Sequence, residues 1–214
     1  MTTSSPLPSK IREGRSSREA ILKAATRLMQ IRGYHATSLD DVLGESGVGK
    51  GTFYHHFKSK EDLGHAILDQ IIGGFLRRTV EPCFSDPAVK PLAQIRCFLD
   101  RVMEAQRAQN CVGGCPLGNL ASELSDTHEG FRARLVGVFS VWRERLTSAL
   151  HEAQRQGQVS EACRPEAVAQ FLVASLEGAI LMTKVTKAIT VMEQCVGEMK
   201  RYLGIYGEVR GERG

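Results

Sequence analysis

The stretch Ser38-Leu39-Asp40-Asp41-Val42-Leu43-Gly44-Glu45-Ser46-Gly47-Val48-Gly49-Lys50-Gly51-Thr52-Phe53-Tyr54-His55-His56-Phe57 decides how this chain is read. Ser38, with Asp41 three residues on, has the form of a helix N-cap, and Leu39, Val42 and Leu43 follow at helical spacing. Gly47 predicts the stop, because glycine reaches the left-handed backbone on which helices end. A further short helix is predicted over 50–56, with Phe53 able to close the angle against Leu39 and Val42. Two short helices about a glycine turn form a helix-turn-helix pattern. Plain structural hairpins have the same form, so the chemistry of the exposed positions has to decide.

Working outward, Ser16 to Glu19 has the form of a capping box, and Ile21, Ala24, Ala25, Leu28 and Met29 predict an amphipathic first helix that ends at Gly33. Residues 1–15, polar and broken by Pro6 and Pro8, read as a disordered basic arm. Its Lys10, Arg12 and Arg15 offer either general attraction to a polyanion or a minor-groove contact. Ser59 and Asp62 cap a fourth helix through Leu63, Ile67, Ile71, Ile72 and Phe75, with Gly73-Gly74 as an interruption and possible bend.

Five more helices follow. Leu92 to Met103, Leu117 to Leu124 and a long run from Glu129 to Leu150 come first. Pro165 then opens another helix, and the last carries Val191 to Met199. No β-alternation is sustained. The expected fold is all-α with about nine helices: a helix-turn-helix domain over 16–62, a larger helical bundle over 63–206 and a polar tail over 207–214.

Charge is divided unevenly. Residues 1–60 carry ten Lys/Arg against five Asp/Glu, while the remainder carries eighteen against nineteen, so the whole net charge of +4 comes from the N-terminal end. That end suits a polyanion partner. Lys50 and Lys60 each fall in the first turn of a helix, where the macrodipole disfavours a cation unless phosphate oxygens dock there with it. Tyr54, His55 and His56 add donors on a helix short enough to enter a major groove, although Tyr54 and His56 also suit a packing role.

These residues resemble a known family. Gly33-Tyr34, Thr37 to Val42, Ser46-Gly47-Val48, Lys50 to Phe57 and Ser59 to Leu63 are similar to the DNA-binding domain of the TetR family of one-component bacterial repressors. The resemblance implies an all-helical homodimer that binds a double-stranded DNA operator and answers to a small-molecule effector. It also implies phosphate contacts from Ser38, Tyr54, His56 and Lys60, and places Lys50, Gly51, Thr52 and His55 toward bases or nearby backbone. Leu43 and Gly49 depart from the usual pattern, and Gly49 is the weaker N-cap.

The rest of the chain is read more coarsely. With 42% apolar and 24% charged residues it can form a sizeable core. No uncharged apolar run reaches the roughly 18 residues of a membrane span, since Glu177 interrupts the stretch from Phe171 to Met182. The opening residues lack the apolar segment of a secretory signal, so a cytoplasmic protein with mostly reduced cysteines is expected.

Phe75, Phe98, Val102, Met103, Leu120, Leu135, Phe139, Trp142 and Phe171 are the candidate walls of a cavity for an apolar or aromatic effector, or else plain core. Phe171, Ala174, Ser175, Gly178, Ala179 and Met182 form a small-residue strip suited to a second copy or to packing within the chain. Gly113 to Leu124 reads as a structural loop and short helix. Cys111 and Cys115 are candidate sensing thiols on a glycine-rich loop, and their spacing gives no metal site.

No cofactor is expected. The alternative function is an all-helical enzyme or thiol-redox protein with a structural N-terminal hairpin. Against it, the chain contains no glycine-rich phosphate loop, G-x-S-x-G or H-E-x-x-H motif.

Overall fold

A computed structural model describes the backbone of residues 9–207 and the side chains of residues 16–207. Among the described residues there is no strand. The order is α1 (Ser9–Arg32), α2 (Leu39–Ser46), α3 (Lys50–His56), α4 (Lys60–Phe75), a π-helical turn (Leu76–Val80), α5 (Glu81–Phe84), α6 (Pro91–Ala108), α7 (Pro116–Leu124), α8 (Glu129–Arg155), α9 (Pro165–Thr186) and α10 (Ile189–Ile205). Lys60 to Phe84 is one helical run, so the all-α class and the nine helices agree with expectation.

The chain divides into two compact units, Met1–Ile71 and Ile72–Gly214. The division falls within α4, later than the expected 62/63.

In the first unit α1 turns Ile21, Leu22, Ala25 and Leu28 inward and stops at Gly33, whose φ of 95° is left-handed and whose N–H returns to the Met29 carbonyl at 3.0 Å. The helix begins at Ser9, so residues 9–15 are helical rather than an irregular arm, and Ser16 lies inside the helix instead of capping it. Residues 1–8 and 208–214 of the expected arm and tail lie outside the described residues, as do the side chains of Lys10, Arg12 and Arg15.

The α2 cap forms as the spacing predicts. Ser38 Oγ accepts the Asp41 N–H at 3.0 Å, and the Asp41 carboxylate accepts the Ser38 N–H at 2.8 Å. Gly47 closes α2 in the left-handed region, with its N–H on the Leu43 carbonyl at 3.0 Å. Phe53, fully buried, and Phe57 pack with ring centres 5.7 Å apart, and the Arg18 guanidinium lies 5.3 Å from the Phe57 ring centre.

The second unit is built from longer helices. Its centre is Trp142 of α8, stacked on Phe75 at 4.3 Å and meeting the edges of Phe139 at 5.3 Å and Phe98 at 6.2 Å. Gly73 and Gly74 are not an interruption, because both lie inside regular α4. They leave room for the arginines one turn on: a Cβ on Gly74 would come to 2.9 Å from an Arg78 guanidinium nitrogen, and one on Gly73 to 3.3 Å from Arg77.

The departure from α geometry is instead the π turn at Leu76–Val80, where Arg101 of α6 donates to the Arg78 carbonyl at 3.0 Å. Cys83 and Cys97 are joined in a disulfide between α5 and α6, which corrects the expectation for this pair. Cys111, Cys115, Cys163 and Cys195 are free thiols.

The loop before α7 runs through left-handed Asn110, Cys111, Gly113 and Gly114, and Asn119 Nδ2 ties it down by donating to the Gly113 carbonyl at 2.7 Å. The α9 helix, 22 residues long with a mean hydropathy of 1.4, is long and apolar enough for a membrane span by length and composition. Leu172, Leu176, Ile180 and five neighbours of similar spacing are buried inside the unit, as in the core helix of a bundle.

Candidate nucleic-acid interface and effector site

The α3 helix is seven residues long and carries Phe53 as its buried anchor. The other positions follow from that single anchor: Lys50, Gly51, Thr52, Tyr54 and His55 are exposed, with Tyr54 keeping about half of its surface open at 51%. Gly49 precedes the helix with no side-chain cap, so the first-turn N–H groups beside Lys50 have no capping oxygen. Lys50 makes no ion pair among the described residues. Cations, hydroxyls and open backbone donors thus share one short exposed helix, the form that phosphate and base-edge contacts require.

Lys60 opens α4 and holds its ammonium 4.5 Å from the Tyr34 ring centre. This cation–π contact resolves much of the dipole conflict at the helix start, and it fixes the charge in place. Burial, reinforced by Glu61, raises the Tyr34 phenol above its ordinary pKa, so Tyr34 stays neutral beneath the lysine.

Ser38 remains exposed although its hydroxyl caps α2, and its bonds hold the Asp41 carboxyl below the ordinary carboxylate range. His56 differs from its neighbour. Its Nε2 is buried with no partner, and burial followed by the nearby His55 and Arg18 lowers its pKa, so it is a neutral packing histidine on this side of the ring.

In the second unit the proposed cavity walls separate into two groups. Phe75, Phe98, Val102, Leu120 and Trp142 are core or part-core side chains, and with Met103 they line neither of two neighbouring cavities found between α7, α8 and α9. Phe171 is not with them. It lies half-exposed on α9 with its ring 4.9 Å from that of Tyr202. Leu135 and Phe139 do line a cavity.

The cavities measure about 340 and 330 Å³ and share Ala121, Phe139 and Glu177. Sequence reasoning took Glu177 only as a break in an apolar run; a lone acid in the middle of a core helix was the available signal.

The expected contact strip on α9 is partly corrected. Phe171, Ala174, Gly178 and Met182 are exposed and Ser175 partly so, but Ala179 is buried within the unit. Leu181 and Val185, exposed by 58% and 69%, extend the strip along the same helix.

Cys111 and Cys115 are not the accessible loop thiols expected. Both are buried, and burial together with the neighbouring Glu177 pushes the Cys115 thiol far above its ordinary pKa. Among the described residues no cluster of His, Cys, Asp and Glu could hold a metal.

Residues 21–67 match the model of bacterial regulatory proteins of the tetR family, and residues 91–198 match that of the tetracyclin repressor-like C-terminal domain. The chain belongs to the TetR family of transcriptional regulators. It is 31% identical over 186 residues to the transcriptional regulator AcuR of Cereibacter sphaeroides, covering 83% of this chain and 84% of that one. It is 29% identical over 177 residues to the transcriptional repressor DhaR of a Mycobacterium species, covering 83% and 87%. The crystal structure of a regulatory protein TetR from Rhodobacter sphaeroides superposes with a TM-score of 0.79 at 30% identity, covering 87% of this chain and 98% of that one. As a TetR-family member the protein is a DNA-binding regulator of transcription with a helix-turn-helix head.

Proposed function

We propose that this TetR-family protein is a homodimeric repressor, bound to a palindromic operator and released when a small apolar or aromatic effector enters the second unit. The reading rests on one observation above all: α3 presents Lys50, Gly51, Thr52, Tyr54 and His55 outward while its only buried anchor is Phe53. In this reading Lys50 and Thr52 meet bases, and Ser38, Tyr54 and Lys60 meet phosphates, which set register without reading sequence. His56 serves as the packing partner of the recognition helix.

The apolar stripe of Phe171, Ala174, Gly178, Met182 and Val185 supports a second copy as the partner of α9, since a stripe this continuous is rarely left to water. A two-fold dimer places two α3 helices about 34–36 Å apart, one turn of DNA, and requires an operator with the same symmetry. Release requires only that the effector favour the conformation that does not fit DNA.

Selection of bound duplexes from a random pool tests the proposal. Recovered sites should be palindromic, binding should weaken steeply with salt, and a Lys50→Ala/Lys60→Ala protein should recover none. Sedimentation should give a dimer at micromolar concentration. Non-palindromic sites or a purely monomeric protein would overturn it.

A further inference from the structure

Glu177 is the most exceptional polar group in the second unit. It sits on the buried face of α9, its Oε1 is shielded from solvent with no hydrogen-bond partner, and the carboxyl borders both cavities. The Cys115 thiol donates a hydrogen bond to the carboxyl, leaving Oε1 still open. Gly118 of α7 makes this placement possible, because a Cβ there would collide with Glu177 Oε2. A buried carboxyl oxygen without a donor is costly to keep, and an apolar residue of similar size would fill the same space without that cost.

The surroundings narrow what could supply the missing donor. On one side Lys184 Nζ is held by Asn119 Oδ1 at 3.1 Å; on the other, Arg143 lies 3.2 Å from Ser140 Oγ and 3.3 Å from Gln170 Oε1. Neither cation has an acid partner there, so a cationic ligand would meet repulsion from both cavities. Arg132, on the rim of the second, is already paired with Glu129. Between the cations the walls are apolar, formed by Ala121, Leu135, Phe139, Ile180 and Leu181.

We infer that Glu177 is the recognition group of an effector site between α7, α8 and α9, whose ligand is a small uncharged molecule with an apolar body and one hydroxyl- or amide-type donor. This deepens, and rests on, the effector-responsive reading above. The ligand's donor fills Oε1 while its body lies against Phe139. Burial raises the Glu177 pKa, which keeps the carboxyl uncharged and suited to an uncharged partner. The combined space falls within the range of small-molecule sites.

The test uses the full-length dimer without DNA and four matched probes: benzyl alcohol, toluene, benzylamine and benzoate. Binding is read by titration calorimetry and by the fluorescence of Trp142, the chain's single tryptophan, whose ring meets Phe139 at 5.3 Å. Benzyl alcohol should bind about tenfold more tightly than each of the others, the worth of one well-made buried hydrogen bond. Glu177→Leu should bring benzyl alcohol down to the affinity of toluene while toluene binding persists. Gly118→Ala, which displaces the carboxyl without removing it, should reduce the same preference and serves if the leucine variant fails to fold.

Equal binding of toluene and benzyl alcohol, tighter binding of benzylamine or benzoate, an unchanged preference in the folded variants, or no binding at all would each overturn the site. Intact benzyl alcohol selectivity with no effect on DNA affinity would instead overturn the repressor-release reading and leave the site standing.

Discussion

The short helices of the first unit and the long helices of the second distribute their side chains in opposite ways. Val42 and Phe53 are the only buried residues of α2 and α3, whereas α8 buries eight and α9 nine. A helix of two turns with one anchor has most of its surface free, so chemistry can be placed on it with little effect on folding. A helix of six or more turns inside a bundle has little free surface, and a polar group used there must be taken into the interior. Surface chemistry in the first unit is therefore separable from stability, and cavity chemistry in the second is not.

Trp142→Ala tests the second half of this contrast and carries the largest expected effect. Removing a ring that is 2% exposed and touches three phenylalanines should cost about 3–5 kcal/mol in denaturant unfolding. A loss under about 1 kcal/mol would mean that the interior of the second unit is soft and that the contrast fails. Lys50→Ala should do the reverse. Its unfolding free energy should stay within about 0.5 kcal/mol of the parent, while discrimination among duplexes falls by about 1–3 kcal/mol, measured by competition binding.

Ser38→Ala lies between the two, because one hydroxyl serves both the cap and the proposed phosphate contact. It should cost about 1 kcal/mol of stability, and the Asp41 contribution adds a pH signature. A carboxyl held below its ordinary pKa stabilises the fold fully above the ordinary Asp value, about 3.9, and loses that contribution as pH falls through the lower folded-state value. Acid unfolding should therefore be less steep in Ser38→Ala than in the parent.

Lys60→Ala should lose only about 0.5–1 kcal/mol of stability, the worth of an exposed cation–π contact. It should weaken binding to all duplexes alike and lower the salt slope by about 1 for each subunit. The smallest effect concerns the thiols. In timed alkylation read by mass spectrometry, the partly exposed Cys195 should react well before the buried Cys111 and Cys115.

The first unit was legible in the sequence because its signals are local. Ser38, Asp41, Gly47 and Phe53 act within a few residues of one another, and their outcome depends little on distant parts of the chain. The start of α1 was misread because a capping pattern at Ser16 competes poorly with a helix already propagating from Ser9.

In the second unit the helices were legible from their periodicity, but the cavities were not. Which aromatic side chains enclose space and which fill it depends on how α7, α8 and α9 pack, and periodicity says only that they face inward. Ala179 shows the same limit: it has the size of its neighbours on the strip, but the helix turns it to the core side. The Cys83–Cys97 pairing depends on the path of the chain between α5 and α6, which no spacing rule supplies.

The π turn at Leu76–Val80 has a consequence for how this protein tolerates insertions and deletions. A π turn accommodates one more residue than the α-helical path it replaces. Deleting a single residue there should let the run from Lys60 continue as an ordinary α-helix, preserving helicity and length almost unchanged. Each residue of an α-helix turns the chain by about 100°, so everything beyond the deletion would be rotated by that amount. Cys83 would leave the face that meets Cys97, and Phe84 would leave Phe98, now 5.9 Å away. The shortened chain would pass a circular-dichroism test for helix content and yet present two unpaired thiols, so a simple thiol count would detect the lost phase of the helix.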